Sequence, residues 1–241
     1  HEACEALGVP VLTAAGFEAD DVIGTLARQA VAAGHSVAIV TGDKDFFQLV
    51  GDDIRVYNPR DDGTWYDADG VREKFGVDPS QVVDVLALMG DATDNIKGVP
   101  GIGEKGAREL VQTWGSLDVL LAHAAEIKQK KYREGLLQHA DDAHRSRELA
   151  TIRIDADVVF DEARFRYQGA DRDRCFDLFG RLGFRSLVTE FAPTAESIEQ
   201  DYAIVATIDE LAAYAGAVTA PGPLAIHAVT DGPAGMQAAL V

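Results

Sequence analysis

At 241 residues the chain can hold one large domain, or one medium domain with part of another. Hydrophobic residues make up 47% and charged residues 26%, the balance of a protein with a packed core, and no apolar run is long enough to span a bilayer. Lys and Arg total 22 against 40 Asp and Glu, a formal charge of −18, where a nucleic-acid-binding domain usually carries a basic footprint. Either the chain binds no nucleic acid, or its carboxylates gather where cations neutralise them and its basic residues cluster elsewhere. No basic-then-apolar leader opens the chain, and Cys4 and Cys175 fit no zinc spacing. A cytoplasmic protein with two reduced thiols is the expectation.

In chain order, residues 1–8 read as the tail of a helix that Gly8 ends, and a chain that begins inside a helix is expected to be a fragment. Residues 9–12 are a short strand candidate. Helical periodicity follows over 18–33 through Val22, Ile23, Leu26, Ala27 and Ala30, closed by Gly34. Residues 36–41 form a continuous apolar run, the pattern of a parallel strand covered on both faces. Another strand is expected at 54–57, then a turn-rich stretch over 58–63. Helices are expected at 67–75, 79–89, 104–114, 116–123 and 128–152 with one break, and two more between 171 and 191. Ala192-Pro193-Thr194-Ala195 reads as a linker, which places a boundary near residue 195. A strand at 202–206, a helix at 208–215 and a strand at 224–229 follow. Strand–helix–strand alternation predicts an α/β class.

Three short acidic clusters stand out: Glu18-Ala19-Asp20-Asp21 at a helix start, Asp43-Lys44-Asp45 past the carboxyl end of the apolar strand, and Asp91-Ala92-Thr93-Asp94-Asn95 after a helix. Open α/β sheets place their sites beyond the carboxyl ends of strands. Asp43 and Asp45, at i and i+2 of an extended segment, can share a ligand. Glu18 with Asp21, and Asp91 with Asp94, are neighbours at i and i+3 if their turns are helical. Gathered carboxylates resist ionisation without a counter-charge, and all-oxygen donors suit Mg²⁺ or Mn²⁺ better than zinc. Any one cluster alone is more simply a solvated cap. The three together favour a metal site.

Gly98-Val99-Pro100-Gly101-Ile102-Gly103-Glu104-Lys105-Gly106-Ala107 contains a literal GxGxxG. A dinucleotide fold needs a strand before that motif, and here a helix and an acidic turn precede it. Two helices joined by a tight hairpin fit instead, with Ile102 as apolar anchor. Gly101 and Gly103 would let backbone amides face a phosphate, and Lys105 and Arg108 would share a helix face. The basic group Lys128, Lys130, Lys131 and Arg133 is as well explained by a solvated helix face. Trp65 and Trp114 read as packing residues.

The blocks GFEADDVIGTLA, VTGDKDFFQLV and MGDATDNIKGVPGIGEKGARELVQTWGSL, in order from Gly8 to about Phe191, resemble the 5′-nuclease (flap endonuclease-like) domain of the bacterial DNA polymerase I family. The resemblance implies a PIN-like, mostly parallel sheet flanked by helices, with a helix–hairpin–helix region over about 79–123. It implies two-metal hydrolysis of 5′ ends, 5′ flaps and nicks in duplex DNA and of RNA–DNA primer junctions. The family's ligands fall on Glu18, Asp20, Asp21, Asp43, Asp45, Asp91 and Asp94, holding Mg²⁺ or Mn²⁺, with Asp43, Asp45, Asp91 and Asp94 expected to be catalytic. Duplex DNA is expected at Gly101, Gly103, Lys105 and Arg108, with K⁺ at the hairpin carbonyls. A first strand with a further aspartate and a basic helical arch precede residue 1 in the family pattern, so the fragment alone is expected to cut poorly.

Residues 1–194 are thus expected to form the 5′-nuclease domain. Residues 195–241 resemble a linker and the start of a ribonuclease H-like 3′–5′ exonuclease domain. His227 and Val229 stand there where an active enzyme carries an Asp-x-Glu pair, so that domain is expected to be inactive. A polymerase domain is expected in the same full-length chain, in the cytoplasm and associated with the nucleoid. A free-standing 5′-nuclease, a non-catalytic helix–hairpin–helix module and a phosphatase using Asp43 and Asp45 are the rival readings. The phosphatase lacks phosphate-loop residues after Asp45.

Overall fold

The computed structural model of the protein describes residues 1–193, 207–217, 226–230 and 236–240. The chain divides into two compact units, one of residues 10–168 and one of residues 1–9 with 169–241.

The larger unit begins with a stretch without strand pairing that runs up to the helix Ala19–Ala32. The strand expected at 9–12 does not form: Pro10 has no N–H to give a ladder, and Val9 and Val11 stay 46% and 40% exposed. To keep chain order, the helix Glu2–Ala6 of the smaller unit is α1 and Ala19–Ala32 is α2. Strands β1 (Val37–Val40), β2 (Ile54–Asn58) and β3 (Thr64–Tyr66) form one sheet in the order β1-β2-β3. β1 pairs parallel to β2, with Val37 opposite Ile54, and β3 turns back antiparallel, with Val56 opposite Tyr66. The sequence reading missed β3, a hairpin return of three residues too short for a pattern. β1 was also expected to be covered on both faces, and only one face is. Ile39 is buried, but Val40 is 65% exposed, and β1 lies at the edge of the described sheet.

Gly24, in the middle of α2, is a position where a side chain would not fit: a Cβ there would lie 2.7 Å from Ile152. The same helix straps down the irregular segment 151–160 with polar side chains spaced one turn apart. Asp21 accepts from Arg153 N at 2.8 Å, Thr25 Oγ1 from Ala156 N at 3.0 Å, and Gln29 from Phe160 N at 2.7 Å while donating to Val158 O at 2.9 Å. Backbone amides that lack a ladder are thereby satisfied, the Ala156 amide in a buried place.

Helices α3 (Ala68–Phe75), α4 (Val82–Met89), α5 (Glu104–Trp114), α6 (Leu117–Ala122), α7 (Lys130–Gln138) and α8 (Ala140–Ala150) follow close to their expected places. Asp67 and Ser116 cap α3 and α6 by accepting from Gly70 N and Val119 N. α4, with Val82, Val85, Leu86, Ala87 and Leu88 all buried, is the centre of this layer and packs on α5 and α8. One apolar core joins the sheet to these helices through Ile54, Val56, Phe47, Val71, Leu88, Val111 and Leu136. A short α9 (Glu162–Phe165) was not expected.

In the smaller unit, α1 packs with α10 (Arg172–Leu182) and α11 (Arg185–Phe191) around Ala6, Cys175, Leu178, Phe179 and Phe191. Asp171 N donates to Ala6 O at 2.9 Å, and Arg174 pairs with Glu5 at 2.8 Å. The expected linker from residue 194 on and the strand at 202–206 lie outside the described residues. α12 (Ile208–Ala217) and β4 (Ile226–Thr230) stand where a helix and a strand were expected, and β5 (Met236–Leu240) pairs antiparallel with β4, His227 opposite Ala239. Among the described residues, no helix is long and apolar enough to cross a membrane.

Candidate metal centre and hairpin

The second acidic cluster is shaped by a tight turn. Past β1, Asp43 caps a 3₁₀ turn over Lys44–Leu49, its Oδ1 accepting from Asp45 N at 3.0 Å. Phe46, Phe47 and Leu49 of that turn enter the core, and the turn carries Asp45 inward with them, to 7% exposure. Asp43 and Asp45 are therefore not side by side on an extended segment, as the spacing suggested. One is an exposed cap and the other a buried carboxylate.

The third cluster is also not helical. Asp91 and Ile96 form an antiparallel bridge, with Asp91 N on Ile96 O at 2.9 Å and Ile96 N on Asp91 O at 2.7 Å. Between them the chain turns through Asn95 at φ 58°, and Asp91 Oδ1 accepts from Thr93 N at 2.8 Å. This closed turn, not an i,i+3 helical relation, brings Asp94 back beside Asp91.

The result is a group of three. Ligand oxygens of Asp45, Asp91 and Asp94 lie within 4.8 Å of one another, the tight carboxylate group among the described residues. Lys44 Nζ donates to Asp91 Oδ2 at 2.5 Å and lies 3.7 Å from Asp45 Oδ1. Asp45 Oδ1 is buried and receives no hydrogen bond. Burial, followed by the charge of Asp43, pushes the Asp45 pKa up to about 6 against the opposing pull of Lys44, with Asp91 and Asp94 adding to the rise. Asp91 moves the other way, held below the ordinary carboxylate range by the Lys44 hydrogen bond and aided by Thr93 N–H. For Lys44, burial is outweighed by the Asp91 bond and the neighbouring carboxylates, and its pKa is raised.

The first cluster meets the others through one member. Asp20 is raised by burial and then by Asp43, Glu18, Asp94 and Asp21, so it faces the same field of negative charge. Glu18 is the N-cap residue of α2 and makes no side-chain cap bond. Asp21 is engaged by the Arg153 amide in the strap. Glu18, Asp20, Asp21 and Asp43 thus stand outside the group of three.

A buried carboxylate oxygen with no donor, surrounded by other carboxylates, is the arrangement that a hard cation would satisfy. The donors are all oxygen, which suits Mg²⁺ or Mn²⁺. The residue the sequence reading passed over is Lys44. A cation written between two aspartates was the available signal.

Two residues beyond the acidic turn, the chain enters the hairpin. Gly90 and Gly98 cross here at φ 76° and 65°, and a Cβ on Gly98 would lie 2.4 Å from Gly90 N, so only glycine fits the crossing. Val99 N donates to Leu88 O at 2.8 Å, and Val99 and Ile102 are buried at 2% and 4% exposure, which gives Ile102 the anchoring place expected of it. Gly103 is the N-cap of α5, exposed and without a side chain to cover the helix start. Gly101, at φ 92°, carries the aliphatic stem of Lys131 across it. Gly106 and Pro100 likewise touch Tyr132 and Gly135, so α7 covers the hairpin. Lys105 projects into solvent at 91% exposure, 4.0 Å from Glu109. Arg108 turns away from solvent: its guanidinium sits 4.8 Å from the Phe75 ring centre and pairs with Glu104. Trp65, expected to pack, is 56% exposed and rests on Tyr57.

Comparison with known proteins agrees with this layout. The model of the 5′-3′ exonuclease N-terminal resolvase-like domain matches residues 1–76, and that of the 5′-3′ exonuclease C-terminal SAM fold matches residues 77–173. The chain is 41% identical over 200 residues to DNA polymerase I of Bacillus caldotenax, covering 81% of the chain and 23% of that protein. It is 42% identical over 190 residues to the thermostable DNA polymerase I of Thermus aquaticus, covering 79% of the chain and 22% of that protein. The chain thus spans under a quarter of the length of these relatives. Among solved structures, the T5 D15 protein co-crystallized with metal ions superposes at a TM-score of 0.55 with 21% identity, over 76% of this chain and 60% of that one. The catalytic core of Rad2 in complex with DNA substrate superposes at 0.52 with 18% identity, over 79% and 65%. At those identities the likeness is one of fold.

Proposed function

The chain belongs to the 5′-3′ exonuclease family, and on that premise we propose that it is the divalent-metal-dependent 5′-nuclease part of a DNA polymerase I. Its substrates are 5′ ends, flaps and nicks of duplex DNA, and RNA–DNA primer junctions. The observation that carries the reading is the convergence of Asp45, Asp91 and Asp94 around an oxygen that no protein donor satisfies. Asp45 and Asp91, fixed by the core and by the bridged turn, hold Mg²⁺ or Mn²⁺ with Asp94. Asp20, Asp43, Glu18 and Asp21 complete the ligand set, Asp21 through a carboxylate it shares with the strap. Two such ions supply charge for the attacking and leaving oxygens of a phosphodiester displacement.

The hairpin holds the duplex. Gly103, with nothing near it, leaves backbone amides at the start of α5 open to a phosphate, Gly101 adds its backbone once the Lys131 stem shifts, and Lys105 adds a mobile charge. Arg108 joins it once freed from Glu104, and K⁺ is held by hairpin carbonyls. The Gly90–Gly98 crossing fixes the acidic turn to the hairpin, so a gripped phosphate keeps a constant offset from the carboxylates. Residues 1–194 form this nuclease domain, and 195–241 begin an exonuclease-like domain that does not proofread. The whole protein is cytoplasmic and associated with the nucleoid.

The test is calorimetric titration of the chain with Mn²⁺, paired with cleavage of a 5′-flap duplex in the full-length context. Asp91→Ala is expected to lose both while duplex binding persists. Binding of flaps that never depends on these carboxylates, with no Mn²⁺ uptake, would favour a non-catalytic helix–hairpin–helix module.

A further inference from the structure

Among the described residues, Lys44 is the ammonium placed among the three carboxylates, and it touches two of them. We propose that it is an internal counter-ion which a divalent cation must displace, so that this one side chain sets the cation affinity of the cluster. The proposal rests on the metal reading above.

The geometry separates Lys44 from an ordinary ion pair. Its Nζ bonds Asp91 Oδ2 at 2.5 Å and stands 3.7 Å from Asp45 Oδ1, too far for a hydrogen bond and on the very oxygen that has no donor. Lysine and a divalent ion therefore want the same oxygens, and both cannot be bonded to Asp91 Oδ2 in this way. Lys44 can leave: its side chain is 38% exposed on a flexible four-carbon stem, whereas Asp91 is 8% exposed and fixed by its bridge. Without a cation the ammonium keeps the carboxylates assembled against their mutual repulsion. When a cation binds, the ammonium moves to water and the carboxylates stay. Arg147 offers the contrast, since it pairs Asp118 through two bonds of 2.8 and 3.0 Å and sits on no orphaned oxygen.

The test uses the 241-residue chain, with Mn²⁺ alone as the probe. Lys44→Met is expected to bind Mn²⁺ about tenfold more tightly, because a charge-assisted hydrogen bond no longer has to be broken. Lys44→Arg, which keeps the charge, binds no more tightly than the parent. In chelator, Lys44→Met melts below the parent, and the gap narrows in saturating Mn²⁺. Lys44→Gln gives the same readings if the methionine variant fails to fold, as checked by far-ultraviolet circular dichroism. Equal Mn²⁺ affinity in parent and variant, or a melting gap that persists undiminished in Mn²⁺, overturns the proposal and leaves the metal reading standing. Absence of Mn²⁺ uptake by parent and variant alike removes both.

Discussion

Asp45 and Asp84 are buried to the same degree, at 7% and 6% exposure, yet one has partners for its oxygens and the other has an oxygen with none. On α4, Asp84 Oδ2 accepts from Leu117 N at 3.1 Å, capping the start of α6 from a distance in sequence, and Arg147 stands 3.7 Å from its other oxygen. Burial raises its pKa, and the Leu117 amide and Arg147 work against that rise. Asp45 has the same burial with the opposite surroundings: one oxygen has no donor, and Asp43, Asp91 and Asp94 all repel it. Burial alone does not tell a functional carboxylate from a structural one. The presence or absence of a compensating partner does.

The sharpest way to break this comparison is cation affinity. Asp45→Asn or Asp91→Asn should weaken Mn²⁺ binding by about 100-fold or more, beyond what outer-shell changes cost, while Asp84→Asn binds as the parent does. Calorimetry decides it, and a loss of similar size at Asp84 would erase the distinction. Next in size is stability. Asp84→Ala strands the Leu117 amide and should cost about 2–3 kcal/mol in urea unfolding. Asp45→Asn in chelator at neutral pH should cost nothing and raise the midpoint, since it removes a repelled charge.

Dependence on pH separates the two members of the cluster further. Asp45 has a folded pKa of about 6 above an ordinary value of 3.8. Between those values the folded chain holds a proton that the unfolded chain has released, so stability falls as pH rises through that window. The metal-free melting temperature should therefore decline from about pH 4 to 6 in the parent, and less in Asp45→Asn. Asp91 carries the opposite sign. Its pKa is lowered from 3.8, so its contribution is present above that value and is lost as pH falls below it. The smallest effect belongs to the hairpin: Lys105→Ala should reduce the salt slope of duplex binding by about one, equally for all sequences.

Much of the fold was legible because its signals are local. The α5 helix runs from Glu104 to Trp114 as expected, since Gly103 and Gly115 bracket an amphipathic run. The acidic clusters were found from residue type alone, but the way they meet was not. That depended on a 3₁₀ turn pulling Asp45 into the core and on a bridge between Asp91 and Ile96, neither of which has a sequence period. Arg108 was expected to share a phosphate-facing helix face with Lys105, and helical spacing is blind to Phe75, which lies before α4, the acidic turn and the hairpin. Asp21 was expected to share a ligand with Glu18, its neighbour at i and i+3, although the strap amide that engages it lies 132 residues away in sequence.

That strap has a consequence for how the molecule breathes. The amides of Arg153, Ala156 and Phe160 belong to no helix or strand, and each is closed by a side chain of α2. Loop amides ordinarily exchange with solvent quickly, but these three can open only when the strap peels from α2 or α2 itself moves. In a hydrogen-exchange experiment they should slow together, as a cooperative set with the buried face of α2, and a Thr25→Val change at its centre should release all three. An irregular stretch of chain would then report the opening of the helix that carries Asp20 and Asp21.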